Sequence, residues 1–578
     1  MPDKRWTLRS CDERASTAIA GALKIRKLYG RLLVGREIRS FEEARGFFRP
    51  HITDLHDPYS MRGMEAAVQR IDQAVKRREK ILIYGDYDAD GTTAVAVVFS
   101  FLQAFHAPIS FYIPDRHREG YGISDAGITH AITQSFSLII ALDCGVKAVK
   151  AITRAHDAGL DVIVCDHHLP GDTLPPAVAL LNPKQPGCPY PYRELSGCGI
   201  GFKLITALAT RWNLPGQSVL PYLQLVAISI AADIVPVTGE NRVLAYFGLK
   251  AINAEPLTGI RALLQRNPLR GEDTRLLRLE DMAFMIGPCV NAAGRMDDAA
   301  KAVRLFIEKD FDKALDFAEM LHQDNARRKE LDKRITAEAL DMISGSEDLR
   351  ARNTTVLYRS HWHKGVVGIV ASRVMECYYR PTIILTASRG AITGSARSVD
   401  GFNIFEALQR CDHLLENYGG HLHAAGMTLR PENLTAFTEA FEAAVSCSMD
   451  PGSRQAEILI DAPVDLGDVA KLYPLLQQFE PFGPGNTRPV FLAYGVSDNG
   501  YSRIVKGDHI RFEVRQGNSG TMAGIGFNLA HKFGMVSSGN PFDLCFGVGE
   551  NTWKGRRSLQ LSVLDIRIAE PVPPVKAP

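Results

Sequence analysis

Six side chains in this sequence have the types and spacing to do chemistry together: Asp86, Asp88, Asp143, His167, His168 and Asp233. Asp86 and Asp88 stand two apart in Gly85-Asp86-Tyr87-Asp88-Ala89-Asp90-Gly91. Alternate residues of an extended segment point the same way, so both carboxylates project together. Alone, the segment reads equally well as an Asp-rich turn, and Asp90 reads as the N-cap of the helix that follows. Asp143 in Leu142-Asp143-Cys144-Gly145 and the cluster Cys165-Asp166-His167-His168 end two more apolar runs, and Asp233 follows another in Ala232-Asp233-Ile234-Val235-Pro236. A lone Asp at a strand end is ordinarily a helix cap, but three in register, one beside a His pair, are not explained that way. Gathering so many acids is costly unless a cation compensates them. Carboxylates mixed with imidazoles and no thiolate favour Mn²⁺ or Mg²⁺ over structural zinc. Six ligands exceed the needs of one ion. The expectation is two divalent metal ions about 3.5–4 Å apart, an arrangement suited to in-line phosphoryl displacement.

The elements that must position these groups are legible in the apolar pattern. Residues 81–85, 137–142 and 161–165 are short β-branched runs of the kind buried on both faces of a parallel sheet. Helical patterns at Thr93–Phe105, Asp125–Thr133 and Ala148–Ala158 alternate with them, which predicts a doubly wound α/β domain over 61–245. The carboxyl edge of such a sheet is where ligands bind, and each run delivers its acid there. The stretch Leu220–Val237, broken by Gln224 and Asp233, reads as a buried helix and strand and not as a membrane span.

Residues 246–345 read as helical. Phe311–Ile343 holds neither Gly nor Pro, and Leu331, Ile335, Ala339 and Met342 recur at helical spacing, which predicts one long helix between two domains. A second α/β unit over 346–452 has strands at Thr354–Tyr358 and Thr382–Thr386 and a helix at Val366–Tyr378. Residues 453–578 alternate in short segments such as Ile510–Val514 and Leu559–Val563, the pattern of a small all-β barrel, with a Pro-rich tail from Glu570 that reads as disordered.

Composition adds exclusions. The net charge is +2, so it names no partner. Residues 1–60 form an N-terminal basic segment: the first forty hold ten Lys and Arg against four acids, which suits phosphate contact or simply a solvated segment. Ten cysteines without a Cys-x-x-Cys pair, and no secretory signal, indicate a reduced, cytoplasmic protein.

Other motifs have two readings each. Gly394-Ser395-Ala396-Arg397 and Gly419-Gly420-His421 suit either a phosphate cradle or a tight turn. Lys364–Gly368, ahead of a helix with Arg373, suits an anion site or a Gly turn. His361 and His363 are candidate ligands or packing residues, and Tyr501, Phe512 and Trp553 either stack bases or fill the barrel core.

With Asp166-His167-His168 in place, the chain resembles the DHH phosphoesterase superfamily, and within it the single-stranded-DNA-specific 5′→3′ exonucleases of bacteria. The motifs that carry this run almost the whole length: Tyr84–Gly91, Ile113–Arg116 with Glu119–Gly122, Leu142–Gly145, Asp166–His168, Ala232–Pro236, Asn291–Met296, Gly394–Ser398, and Gly419–His421 with Ala424–Gly426. The resemblance implies two-metal hydrolysis releasing 5′-mononucleotides, with the six residues as metal ligands and Asp88 and His168 indispensable for cleavage. It implies Arg116 near the scissile phosphate, Arg295, Ser395 and Arg397 on the phosphate of the 5′ end, and His421 as a substrate contact in a DHH-associated domain. The barrel, which begins with Glu480–Asn486, corresponds to an OB-fold. Single-stranded DNA is the implied substrate, with single-stranded-DNA-binding protein and a recombination helicase as implied partners. Many relatives carry a ligand His where this chain has Tyr84, so one metal site is expected to be looser, since a phenol is a poor ligand at neutral pH. Two rivals fit less well. Oligoribonucleases and cyclic-dinucleotide phosphodiesterases of the superfamily are shorter and lack the barrel, and a replication scaffold built on a dead nuclease would have lost its ligands.

Overall fold

A computed structural model describes residues 3–106, 108–267, 275–553 and 556–569. The chain divides into two compact units, Arg9–Asp324 with Ile460–Pro578, and Met1–Leu8 with Asn325–Leu459.

The first unit is built around a five-stranded parallel sheet of β1 (Ile81–Gly85), β2 (Ile109–Tyr112), β3 (Leu138–Leu142), β4 (Asp161–Cys165) and β5 (Ala179–Leu181), in the order β2-β1-β3-β4-β5. Tyr84 stands opposite Tyr112 and Ala141, and Leu142 opposite Cys165, so the strands end level and their following loops share one edge. Along β1 the side chains alternate. Ile81 and Ile83 enter one apolar core, and Leu82 and Tyr84 enter the core on the other face. Helices α1 (Ala89–Gln103), α2 (Asp125–Thr133) and α3 (Val149–Asp157) connect the strands.

The apolar run at Leu220–Val237 is only half as expected. Its first part is the buried helix α5 (Leu223–Ala232), which follows α4 (Gly197–Arg211). The expected strand is a loop, because Asp233 caps the helix, Ile234 turns to φ 61° and Pro236 lacks an N–H for a ladder. Helices α6 (Gly239–Ala254) and α7 (Gly287–Met296) and residues as far as Leu321 share the core of the parallel sheet.

The remaining part of this unit is the barrel. Strands β11 (Phe491–Asp498), β15 (Phe542–Trp553), β16 (Arg556–Ile568), β14 (Met522–Gly526) and β13 (His509–Arg515) pair in that order, and β11 pairs with β13 to close it; β12 (Arg503–Val505) extends β13. Phe512 is core, Tyr501 is 71% exposed, and the Trp553 side chain and the tail from Glu570 lie outside the described residues.

Residues 9–49 are mostly helical, and Ile19, Tyr29, Leu32 and Leu33 join the barrel core. Several basic side chains of this segment are engaged internally. Arg36 donates to the Asn486 Oδ1 at 2.7 Å and the Thr487 carbonyl at 2.6 Å, and Arg31 to the Asp461 carbonyl at 2.7 Å and Glu13 at 2.8 Å.

Helix α8 (Phe311–Ser344) has 34 residues, roughly 50 Å at 1.5 Å per residue. Ala314, Ala318 and Leu321 belong to the core of the first unit, and Ile335, Ala339 and Ile343 to a core of the second. The second unit carries β6 (Thr355–Tyr358), α9 (Val367–Tyr378), β7 (Thr382–Ser388), β8 (Ala391–Arg397), β9 (Asn417–His421) and β10 (Ala424–Leu429). The strand order is β9-β10-β8-β7-β6, with only β6 and β7 parallel. No helix among the described residues is long and apolar enough to cross a membrane.

Candidate metal centre

The carboxyl edge of the parallel sheet gathers four of the six expected groups, Asp143, His167, His168 and Asp233, together with Asp90; Asp86 and Asp88 belong to neither metal-binding group among the described residues. Two sets of ligand atoms lie within 4.8 Å of one another: Asp143, His167 and His168, and Asp90, His167 and Asp233. The His167 Nε2 stands 3.2 Å from Asp143, 3.6 Å from Asp233 and 3.7 Å from Asp90. Ligands at about 2.1 Å from an octahedral ion stand roughly 3 Å apart, so these spacings are close to those of a coordination shell.

The satisfaction of the polar atoms makes the same point. The Asp86 Oδ1, the Asp143 Oδ1 and both ring nitrogens of His167 are buried without a hydrogen-bond partner. Buried acceptors left unpaired are costly, and a cation would satisfy the two carboxylate oxygens and the unprotonated His167 nitrogen. Burial first, then neighbouring carboxylates, pushes the carboxyls of Asp86, Asp143 and Asp233 well above the ordinary range. Burial holds the His167 imidazole below its usual value. Without a cation the site favours protonated acids and a neutral imidazole; a divalent ion would reverse that preference for the acids.

Local structure fixes each group. Asp88 is the N-cap of α1 and accepts from the Gly91 N–H at 3.0 Å. The cap is therefore not Asp90, as the spacing suggested, because the helix begins two residues earlier. Asp90 instead accepts from the Gly197 and Cys198 amides at the start of α4, both at 2.7 Å, and from the Ser229 hydroxyl at 2.7 Å. It ties three elements together while facing His167. Gly91 passes so near the Asp86 backbone that a Cβ would meet its oxygen at 2.5 Å. Asp143 has φ 59° and donates its N–H to the Cys165 carbonyl at 2.8 Å. A Cβ on Gly197 would stand 2.6 Å from the Asp143 Cβ, so only glycine fits there.

His168 is held from behind. Its Nδ1 is 2.7 Å from the Asp166 Oδ1, and the other Asp166 oxygen accepts from the Val146 N–H at 2.9 Å. Burial lowers the His168 pKa, but the Asp166 contact together with the charges of Asp90 and Asp88 more than offsets it, and the net shift is upward. Burial raises Asp166, and the same contact together with the Val146 and His168 amides brings it below its ordinary range. The Tyr121 hydroxyl donates to the Asp143 carbonyl at 3.2 Å and lies 3.1 Å from the His168 Nδ1. Asp166 and Tyr121 orient the candidate ligands His168 and Asp143, a role that spacing did not reveal.

Tyr84 is absent from this cluster. Its ring stacks on Tyr112 at 5.3 Å, and its hydroxyl donates to the Gly122 carbonyl at 3.0 Å and accepts from the Ser124 N–H at 3.1 Å. Burial raises its pKa strongly, so it stays a neutral phenol. It anchors the loop that presents Tyr121.

Arg116 lies over the Tyr87 ring, 4.8 Å from its centroid, and its charge acts on Asp86. Arg295 is on α7, whose Asn291 accepts from the Ala89 N–H at 2.7 Å and whose Gly294 abuts the Tyr87 carbonyl. The Asn291–Met296 motif thus buttresses the loop that carries Asp86 and Asp88.

In the second unit, Ser395 and Arg397 lie on β8. A Cβ on Gly368 in α9 would be 3.1 Å from the Ser395 Oγ and 3.0 Å from an Arg397 terminal nitrogen. The hydroxyl, the guanidinium and the start of a helix thus adjoin, a combination suited to an anion. Ala424 pairs with both His421 and Arg397, so these two side chains share one face of the sheet. Gly419 and Gly426 continue the Ser395 rung and leave it open. Arg373 pairs with Asp332 at 2.8 Å. His361 contacts Glu338 at 3.0 Å, and His363 accepts from the Gly365 N–H at 3.1 Å. Among the described residues neither histidine belongs to a metal-binding group.

Comparison with known proteins agrees with this construction. Residues 80–230 match the DHH family N-terminal domain, 353–446 the DHHA1 domain and 460–565 the RecJ OB domain. The chain is 34% identical over 570 residues to the single-stranded-DNA-specific exonuclease RecJ of Bacillus subtilis (strain 168), covering 98% of this chain and 71% of that protein. It is 32% identical over 565 residues to the RecJ exonuclease of Escherichia coli (strain K12), covering 93% and 95%. The crystal structure of RecJ in complex with Mn²⁺ from Thermus thermophilus matches with a TM-score of 0.83 at 28% identity, over 99% of this chain and 81% of that one. The chain belongs to the family of RecJ single-stranded-DNA-specific exonucleases.

Proposed function

We propose that this protein is a single-stranded-DNA-specific 5′→3′ exonuclease that hydrolyses phosphodiester bonds, releases 5′-mononucleotides and acts in DNA recombination and repair. The observation that carries this reading is the set of unpaired buried oxygens and nitrogens on Asp86, Asp143 and His167 at the sheet edge. Asp86, Asp88, Asp143, His167, His168 and Asp233 would hold two divalent ions, Mn²⁺ or Mg²⁺. Bound there, the ions supply an activated water and offset charge on the reacting phosphate.

The chain's own groups do the rest. Asp166 holds the His168 ring in one orientation, and Asp90 ties the starts of α1 and α4 together around His167. Arg116, propped on Tyr87, offsets charge on the scissile phosphate. On the second unit, Ser395 and Arg397 are assigned to the phosphate of the 5′ end and His421 to the strand; on the first, Arg295 is assigned to a strand phosphate. Single-stranded-DNA-binding protein and a recombination helicase are the partners we assign, and the ten free cysteines accord with a reducing cytoplasm.

Digestion of single strands labelled at the 5′ or the 3′ end, with Mg²⁺ or Mn²⁺, tests the reading. Immediate release of the 5′ label as a mononucleotide is expected, with the 3′ label freed last; the reverse order rejects the polarity. A second result follows from the anion cradle. Arg397→Ala should lower kcat/KM on 5′-phosphorylated ends by roughly 10–100-fold, the value of a charged hydrogen bond. The melting temperature should barely move. An unchanged preference for phosphorylated over hydroxyl ends would remove Arg397 from the anchor.

A further inference from the structure

Ile234 follows Asp233 directly and is both strained and exposed. Asp233 closes α5 as its C-cap, with φ −86° and ψ −4°, and Ile234 then enters the left-handed region at φ 61°. The position after a helix C-cap ordinarily takes Gly or Asn, because left-handed backbone presses a Cβ against a carbonyl. A β-branched side chain suits it least. Among the described residues Ile234 is the only β-branched one at positive φ.

Such strain is understandable when the side chain fills a core, but Ile234 is 70% exposed. The bend itself is held by its neighbours. The Asp233 N–H donates to the Ser229 carbonyl at 2.9 Å, and the Val237 N–H to the Pro484 carbonyl at 2.7 Å. The Pro236 carbonyl accepts from Asn241 at 3.0 Å and from the Tyr192 hydroxyl at 3.2 Å. Glycine would take the same path without strain. The isoleucine side chain therefore serves something that the chain binds and not the fold.

Asp233 places that partner. Its Oδ2 is 3.6 Å from the His167 Nε2, so Ile234 is the exposed apolar residue next in the chain to a group of the proposed metal centre. Leu169, 59% exposed, holds the equivalent place after His168. We infer that Ile234 packs against the nucleobase adjoining the scissile phosphodiester, an inference that rests on the exonuclease reading above. An apolar contact on a base face grips every base alike, and a base stacked within a duplex does not offer that face. Ile234 thus contributes to single-strand selectivity without sequence selectivity.

The test compares the full chain with its Ile234→Gly and Ile234→Leu variants. The substrates are a 5′-phosphorylated single strand and the same strand with abasic sites at its first three nucleotides, both with Mn²⁺. Ile234→Gly should fold with an undiminished melting temperature and bind Mn²⁺ by titration calorimetry as wild type does. Its kcat/KM on the intact strand should fall roughly tenfold, mainly through KM, as expected for losing one apolar contact. Ile234→Leu should restore most of the loss, and on the abasic strand wild type and Ile234→Gly should converge. A gap of equal size on both strands overturns the contact, as does no gap at all or failure of leucine to restore it. Weakened Mn²⁺ binding by Ile234→Gly would make the residue a prop for Asp233 and equally overturn it. A wild type that digests no single strand rejects the exonuclease reading itself, a result distinct from these.

Discussion

Asp143→Asn should abolish cleavage, lowering the rate by at least about three orders of magnitude, while raising the melting temperature in chelator. Asp143 is the carboxylate nearest His167, at 3.2 Å, and its Oδ1 has no hydrogen-bond partner. Asparagine keeps the shape, which matters because the side chain abuts Gly197. It loses the charge that would hold a cation. In the metal-free protein the exchange relieves the fold, since burial and the facing acids Asp90, Asp88 and Asp233 already push the Asp143 carboxyl toward its protonated form, which an amide resembles. Strand binding should persist, because Ser395, Arg397 and His421 lie on a separate unit. Release of a 5′ label, calorimetric Mn²⁺ titration and thermal melting in EDTA together check this. Cleavage retained within tenfold of wild type would refute the metal assignment. A lower melting temperature in EDTA would refute the view that the acids repel one another in the metal-free fold.

That opposition between stability and function accounts for how legible the site was. Groups that break the ordinary rules stand out in a sequence: acids and imidazoles at the ends of buried apolar runs are costly there, so Asp143, His167, His168 and Asp233, which the fold brings together, were legible as a cluster, whereas Asp86 and Asp88 belong to neither ligand group among the described residues and Asp88 caps a helix. Strand limits were close for the same reason, since the runs at 81–85 and 161–165 are apolar on both faces. The supporting groups obey ordinary rules and so were hidden. Asp90 resembles a cap, Asp166 was one letter of a motif, and Gly197 and Gly294 are glycines whose need appears only where another chain segment approaches them. Tyr84 shows the converse. Its place two before Asp86 suggested only a missing ligand, and the structure shows it packed with Leu82, its hydroxyl committed to Gly122 and Ser124. Ile234 was invisible for a further reason, because a left-handed φ leaves no mark on the side-chain pattern.

In chelator the melting temperature should fall as pH rises from 5 to 8, and Mn²⁺ should raise it most at the upper end. Folding raises the carboxyl pKa of Asp86, Asp90, Asp143 and Asp233 above the unfolded value, which is near 3.9. A group so shifted binds more protons folded than unfolded. Its contribution is full below about pH 4 and is lost as pH rises through the folded pKa. His168, also raised, acts in the same direction from about pH 6.5 upward. His167, lowered by burial, opposes them near that pH, but it is one group against five. Asp166, depressed, contributes stability present above its unfolded pKa and so is constant across this window. Mn²⁺ needs the acids ionised, so it removes the penalty that grows with pH. At a hundredfold excess over Kd each ion stabilises by about 2.7 kcal/mol, and two ions should raise the melting temperature by at least about 5 °C. Asp143→Asn should flatten both the pH slope in chelator and the Mn²⁺ response, because the same carboxylate causes both. A melting temperature in EDTA that is level or rising from pH 5 to 8 would mean that the acids are compensated within the protein, and the argument for a metal centre from its unpaired oxygens would fall with it.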